Sequence, residues 1–388
     1  MVNATTANTT EIAPAAGIRF TVASRPQRRF SAVQTVSNLA GSTSFQPIPL
    51  PATGFVRKIS LLFTASVTSA SAGAVVAGDA PWNLVTNITL SDATGQPIYQ
   101  PISGYNLYLV NKYLSTGMEN GDTSGPFGNP HLGPEFAFAS TATTGTAVFR
   151  LDLDLEQDFN SGYGCIPNLD ANASLQLKID VAQSTVAFSG TTTSAATVSV
   201  RVTQHYWAPV GSTTGGVPNS TAPIGFGDFI ETRYENQSAT ASAENTVSVT
   251  NRGGLIKGIL AISRAAGTRT AFTAGSNVGV VYDNNAVDEG VLLSEHQDQL
   301  RRWYGYIGTD LTTSYAPLTA GVMPGLDTGV LVWPFFTYAG GRDTWLSTRV
   351  GTLLQLKVTP GASATQLELV TQLAQVKDAA AFYERMTI

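Results

Sequence analysis

Residues 54–63 read GFVRKISLLF and residues 254–263 read GLIKGILAIS. Each is a glycine, two apolar residues, a base and then an apolar run, and the second starts 200 positions after the first. Another pair keeps the same order: LQLKIDVA begins at Leu175 and LQLKVTPG at Leu354, 179 positions apart. Order that persists while spacing shrinks is the mark of one fold used twice with loops of different length. Each half also holds one helical segment at a comparable point. The first is 105–114, with Leu107, Val110 and Leu114 on one face; the second is 288–304, with Leu293, Leu300 and Tyr304 on one face.

Around these pairs the chain is made of short, β-branched runs bounded by Gly, Pro, Asn and Ser, the pattern of an all-β sandwich. Strands are expected at 32–36, 45–50, 55–67, 85–90, 147–156, 174–182 and 197–207 in the first half. The second half offers 229–234, 245–250, 255–263, 277–282, 329–336, 352–359 and 365–371. The Pro, Gly and Ser/Thr mixture of 209–227 reads as a linker. The expected organisation is a basic amino-terminal arm (1–30), a first eight-stranded jelly roll (31–208), the linker (209–227), a second jelly roll (228–376) and a tail (377–388).

A chain of 388 residues exceeds what one hydrophobic core serves well, which agrees with two packed units. Charged residues are 13% of it, about half the usual share, so much of the surface is expected to lie against neighbours. Residues 1–78 carry six bases against the single acid Glu11, a balance of +5, leaving 16 bases and 26 acids, or −10, for the rest. A basic arm on an acidic body implies an anionic partner at the amino end, or an arm folded over its own body. The lone Cys165 excludes an internal disulfide framework. The opening MVNATTANTTEIAPAAG lacks the basic start and apolar centre of a secretory signal. Residues 59–78 are uncharged for 20 positions, but six Ser and Thr residues among the first 13 favour a strand and polar loop over a membrane span.

PWNLVTNITLSDATGQPIYQPISGYNLYLVNKYL (81–114), FRLDLDLEQDF from Phe149 and the two LQLK strands together resemble the double jelly-roll major capsid proteins of tailless icosahedral viruses with an internal membrane, the tectivirus-like lineage. The resemblance covers roughly residues 30–376 and rests on architecture and order. It implies two rolls side by side, a pseudo-hexagonal homotrimer, and trimers that tile a shell with vertex and minor capsid proteins. It further implies a virion location after assembly in the host cytoplasm, no cofactor and no sequence-specific nucleic-acid binding. An amino-terminal segment under the shell would meet the internal lipid membrane through Arg19, Arg25, Arg28 and Arg29, with packaged nucleic acid as the competing partner.

LDLDLEQDF puts Asp152, Asp154 and Glu156 on one strand face opposite Leu151, Leu153 and Leu155, so the carboxylates are expected on a solvated outer face, with a divalent metal site as the alternative. A carbohydrate-binding or glycan-processing β-sandwich would use that strand as its site, and a surface adhesin or layer protein fits the same β pattern. His131, His205 and His296 are dispersed, and no zinc, nucleophile-elbow, phosphate-loop or dinucleotide motif is present, so no enzyme is expected. RRWYGY at Arg301 reads as a helix end followed by packed aromatics, and Trp82, Trp207, Trp303, Trp333 and Trp345 as core or interface anchors. The long strand-poor stretch 115–146 is expected to decorate the outside or clasp a neighbour.

Overall fold

Glycines 54 and 254 explain why the repeat begins where it does. A Cβ on Gly54 would lie 2.3 Å from the Trp207 carbonyl oxygen, and one on Gly254 would lie 2.2 Å from that of Ala374. Both residues open a long strand pressed against the last strand of its own unit, where only hydrogen fits.

The structure, a computed structural model, describes residues 18–37, 41–69, 75–76, 78–115, 135–138, 144–156, 162–183, 186, 188–189, 193–223, 229–283, 285–306, 310, 312, 325–336, 344–348 and 353–375. The first unit contains β1 (Pro26–Ser37), β2 (Thr43–Ser44), β3 (Ile48–Pro49), β4 (Gly54–Ser69), β5 (Val85–Ser91), β6 (Pro97–Ile102), α1 (Gly104–Leu114), β7 (Thr144–Asp154), β8 (Gln176–Val181) and β9 (Thr193–Trp207). One sheet runs β1-β9-β4-β7, with Glu135–Phe138 paired outside β7 along 145–148; the sheet facing it has β2 and β3 on β8, followed by β5 and β6. The second unit contains β10 (Phe229–Ser238), β11 (Asn245–Ser248), β12 (Leu255–Ala265), β13 (Asn277–Tyr282), β14 (Asn285–Leu292), α2 (Leu293–Tyr304), β15 (Val330–Pro334), β16 (Leu354–Val358) and β17 (Gln366–Gln375). Its sheets run β10-β17-β12-β15 and β11-β16-β13-β14. With β2 and β3 taken as one interrupted strand, both units pair first-eighth-third-sixth and second-seventh-fourth-fifth, which is a jelly roll each time.

Both quoted repeats land on equivalent strands. The glycine decapeptides are the third strands, β4 and β12, and the LQLK segments lie on the seventh, β8 and β16. Along the latter the burial alternates, with Leu177, Ile179 and Val181 inward in one roll and Leu354, Leu356 and Val358 in the other.

The fifth strands were not expected from the sequence. PIYQPI in β6 carries two prolines, tolerated because β6 is the outer strand of its sheet. The helix expected over 288–304 begins only at Leu293; residues 285–292 pair with β13 instead, around Gly290 at φ +68°. The Glu295 carboxylate accepts the Leu292 N–H at 3.2 Å, so the helix start is set there. Gly305, at φ +70°, ends α2, and the Tyr306 N–H returns to the Arg301 carbonyl. The 209–227 segment includes a small hairpin, Thr213–Thr214 against Val217–Pro218. No helix among the described residues is long and apolar enough to cross a membrane.

The core does not follow the division into rolls. One cluster, Val247, Ile256, Ile259, Leu331, Leu356 and Leu369 among others, fills the second sandwich. The larger cluster fills the first sandwich and continues into Leu255, Leu260, Ile262, Val330, Val332 and Val370 of the second roll. The β10-β17-β12-β15 sheet is therefore apolar on both faces, and ten of the eleven residues of β12 are buried. That is why GLIKGILAIS shows no alternation.

Candidate assembly surfaces and the inter-roll junction

Helix α1 is the wedge between the rolls. Ser103 caps it, its Oγ accepting the Asn106 N–H at 3.2 Å, and all eleven of its residues are buried. Asn111 turns to its own roll and closes the edge of β7 beyond the part paired with Glu135–Phe138: its Nδ2 donates to the Asp152 carbonyl at 2.7 Å and its Oδ1 accepts the Asp152 N–H at 2.9 Å. On the other side Leu114 sits so close to β12 that a Cβ on Gly258 would fall 2.4 Å from it.

Charges are buried at the same junction. Lys112 Nζ lies 2.6 Å from Asp327 Oδ2, with both side chains fully covered, and Tyr113 Oη donates to the same oxygen at 2.8 Å. The rings of Tyr113 and Tyr306 surround the ammonium at 5.1 and 4.9 Å. Burial alone would raise the Asp327 carboxyl, but Lys112 and Arg269 outweigh it and hold it below the ordinary carboxylate value. Asp79 of the first roll bridges Arg264 and Arg269 of the second, each at 2.6 Å, and Arg264 also reaches Glu368 at 2.7 Å. Tyr99 and Thr232 share a buried hydrogen bond at 2.9 Å. None of these pairings is visible in the sequence, because the partners lie more than 100 residues apart.

The carboxylate strand is not the solvated face expected of it. Asp152 is buried, with Arg150 Nε at 2.8 Å and Lys58 Nζ at 3.4 Å; Asp154 is half-buried, 4.0 Å from the same lysine. Glu156 is buried and paired with Arg57, and its Oε1 accepts the Gly162 N–H at 2.7 Å and the Trp207 indole N–H at 3.1 Å. Burial raises its carboxyl although Arg57 opposes the shift. Alternation correctly put these side chains opposite the leucines, but bases on β4 lie across from them and draw them under cover. Among the described residues no group of three potential ligands converges on a metal position.

The described part of the arm, from Ile18, is docked along its length: residues 26–30, with Arg28 and Arg29, already belong to β1 and lie opposite 203–207 of β9. Phe20 is buried edge-on against Phe55, with centroids 5.0 Å apart, beside Cys165 and Trp207. Ile18 exchanges backbone hydrogen bonds with Pro218 and Ser220, and Ser24 Oγ donates to the Ala208 carbonyl at 2.5 Å. Arg19, Arg25, Arg28 and Arg29 are all exposed, with no acidic partner among the described residues. Of the tryptophans, Trp82, Trp207, Trp333 and Trp345 are buried and Trp303 is exposed. His131 and the tail 377–388 lie outside the described residues, as do 116–134 and 139–143 of the stretch expected to be a loop; within that stretch Glu135–Phe138 is a strand on β7.

Strand register aligns the outer faces of the two glycine-led sheets. Ser60 lies opposite Asp152 and Thr203; Leu260, 200 positions later, lies opposite Val332 and Val370. Leu62 lies opposite Arg150 and Arg201, and Ile262 opposite Val330 and Glu368. The face is apolar in the second roll, where α1 covers it, and polar in the first.

No protein-family model and no curated protein matches the chain in sequence. Solved structures do. The major capsid protein of Sulfolobus turreted icosahedral virus superposes with a TM-score of 0.55 at 16% identity over 91% of this chain and 98% of that one. A chain in the atomic structure of the same virus gives 0.59 at 15% identity over 91% of both. The chain has the double jelly-roll fold of viral major capsid proteins. The bacteriophage PM2 major capsid protein P2 is also similar, with a TM-score of 0.49 at 13% identity.

Proposed function

We propose that this double jelly-roll chain is a major capsid protein, a structural subunit that forms homotrimers and tiles an icosahedral shell, with no chemistry of its own. The observation that carries this is the likeness over nearly the whole length of both chains, including the order of two complete rolls, to a virion shell protein. The junction supports it: buried α1 and the two ion-pair clusters make the rolls one rigid building block, which a regular lattice requires. The carboxylates that an enzyme or lectin would use are occupied by the chain's own bases. Sedimentation or native mass measurement of the purified chain is expected to give three times 40.7 kDa, or shell-like particles. A monomer that binds oligosaccharide would refute the assignment.

The same reading gives the arm a role. Arg19, Arg25, Arg28 and Arg29 form an exposed cationic set, the first two flanking the short segment anchored by Phe20 and the last two at the start of β1, suited to an anionic lipid surface beneath the shell. The oligomer is expected to bind vesicles containing anionic lipid at low salt, to release them at high salt and to ignore neutral vesicles. Replacing the four arginines by Gln should abolish binding without dissociating the oligomer; unchanged binding would remove the role.

A further inference from the structure

The seam between the rolls is sealed along α1 and opens at its first turn. There a cleft of about 410 Å³ lies between β5, β6 and the start of α1 on one side and β10, β12 and β17 on the other. Tyr99 and Thr232 hydrogen-bond across the seam at 2.9 Å, and two residues further along β10 Tyr234 lines the cleft while 45% exposed. Buried Ile102 adds an apolar patch to the wall, and exposed Thr86 brings a hydroxyl to the rim.

Asn106, in the first turn of α1, also lines the cleft and is only 5% exposed, yet its Oδ1 is a buried acceptor with no partner and its Nδ2 donates to no described residue. Buried amides are nearly always satisfied within the protein. One turn further along the helix Asn111 shows the ordinary case, with both amide atoms bonded to Asp152. Around Asn106 the charges cancel among the described residues, because Arg264 and Arg269 are matched by Asp79 and Glu368. An anion finds no uncompensated base here and a cation no uncompensated acid, so the cleft suits a neutral ligand rich in hydrogen bonds. Glu368 still serves as an acceptor: its oxygens take Tyr234 Oη at 3.2 Å and Arg264 Nε at 2.7 Å, and each keeps a further lone pair.

We propose that this cleft binds the terminal pyranose of a neutral glycan, with the Tyr234 ring against the C–H face of the sugar and Asn106, Glu368 and Thr86 taking its hydroxyls. A pyranose carries the same pairing of one apolar face with a hydrogen-bonding edge that the cleft presents. The Asn106 amide donates through Nδ2 or, turned about its last torsion, accepts through Oδ1, so it serves a hydroxyl of either orientation. The cleft has the size of a small-molecule site, and its exposed rim lets the rest of the glycan stay in solvent. Because the ligand touches both rolls, occupancy is also expected to raise the melting temperature. The inference is independent of the assembly reading.

The test uses the full chain, with the methyl glycosides of glucose, galactose, mannose and N-acetylglucosamine as probes and saturation-transfer NMR as the readout. At least one is expected to bind with a dissociation constant on the order of 1 mM, as suits a ligand of about 13 to 16 heavy atoms. Tyr234→Ala, at an exposed position, should weaken that binding about tenfold, whereas Tyr234→Phe, which keeps the ring, should weaken it less than about threefold. Asn106→Val should also weaken it about tenfold, and the Tyr234 pair carries the test alone if that buried change disturbs α1. No binding by any probe at about 20 mM, binding unmoved by Tyr234→Ala, or a preference for adenosine over every pyranoside overturns the site. Oligomeric mass measured on the same samples keeps the two readings apart. An oligomer that ignores the sugars removes only the site, and a monomer that binds them removes only the assembly.

Discussion

His296 carries a pH dependence whose sign the structure settles. Burial holds its imidazole below the ordinary value, although the Val332 carbonyl and Asp288 act in the other direction, so it is neutral in the fold. The unfolded chain takes up a proton below about pH 6.5 and the folded chain resists it, so stability is full above that value and declines as the pH falls. Thermal melts at about pH 7.5 and 5.5 should show a larger loss for the wild type than for His296→Gln, which keeps a donor for Val332; equal losses would remove His296 as the cause. Lys112 and Asp327 make a second case. Lys112→Met strands a buried carboxylate and is expected to cost about 3–5 kcal/mol in denaturant melts, much of it recovered by adding Asp327→Leu. A single substitution costing under about 1 kcal/mol would show that Tyr113 and Arg269 suffice for the carboxylate.

Strands β4 and β12 are the same element in different surroundings. A glycine beneath a carbonyl of the eighth strand starts β4 and immediately precedes β12, and both pair with the sixth and eighth strands in matching register. Outer-face Leu260 is fully buried beneath first-roll side chains, whereas Ser60 bonds to polar neighbours at 3.2 Å from His205 and 3.1 Å from Arg150. Leu260→Ala is therefore expected to cost about 2–5 kcal/mol and Ser60→Ala about 1 kcal/mol. Equal costs would mean that α1 does not hold the second sheet tightly. Much of this element was legible in advance: the paired runs marked the equivalent strands, and alternation marked the inward side of β7 at Leu151 and Leu153. The fifth strands were not, because prolines and a glycine hide their period and their pairing comes only from the neighbouring strand.

At the scale of the whole molecule, one apolar cluster runs from the first sandwich through α1 to the outer face of the second roll's sheet. The two rolls are thus expected to unfold in a single calorimetric transition. A fragment of residues 228–376 would expose Leu255, Leu260, Ile262, Val330, Val332 and Val370 together, and is expected to aggregate or to bind hydrophobic dye when expressed alone. A soluble fragment with its own sharp transition would show the rolls to be energetically independent.

What the sequence determined by itself was local and repetitive: the duplication, the all-β class, the two helices in matching places, the inward faces of alternating strands and the cationic arm. These depend on neighbours along the chain or on patterns that recur, so they survive without coordinates. Only the tertiary structure decided which surfaces meet. It joined Lys112 to Asp327 and Asp79 to Arg264 and Arg269, took Asp152 and Glu156 out of solvent, and made α1 a buried wedge while α2 keeps an open face. Burial and ion pairing are properties of positions in space, and two copies of one fold acquire different ones because each has a different neighbour.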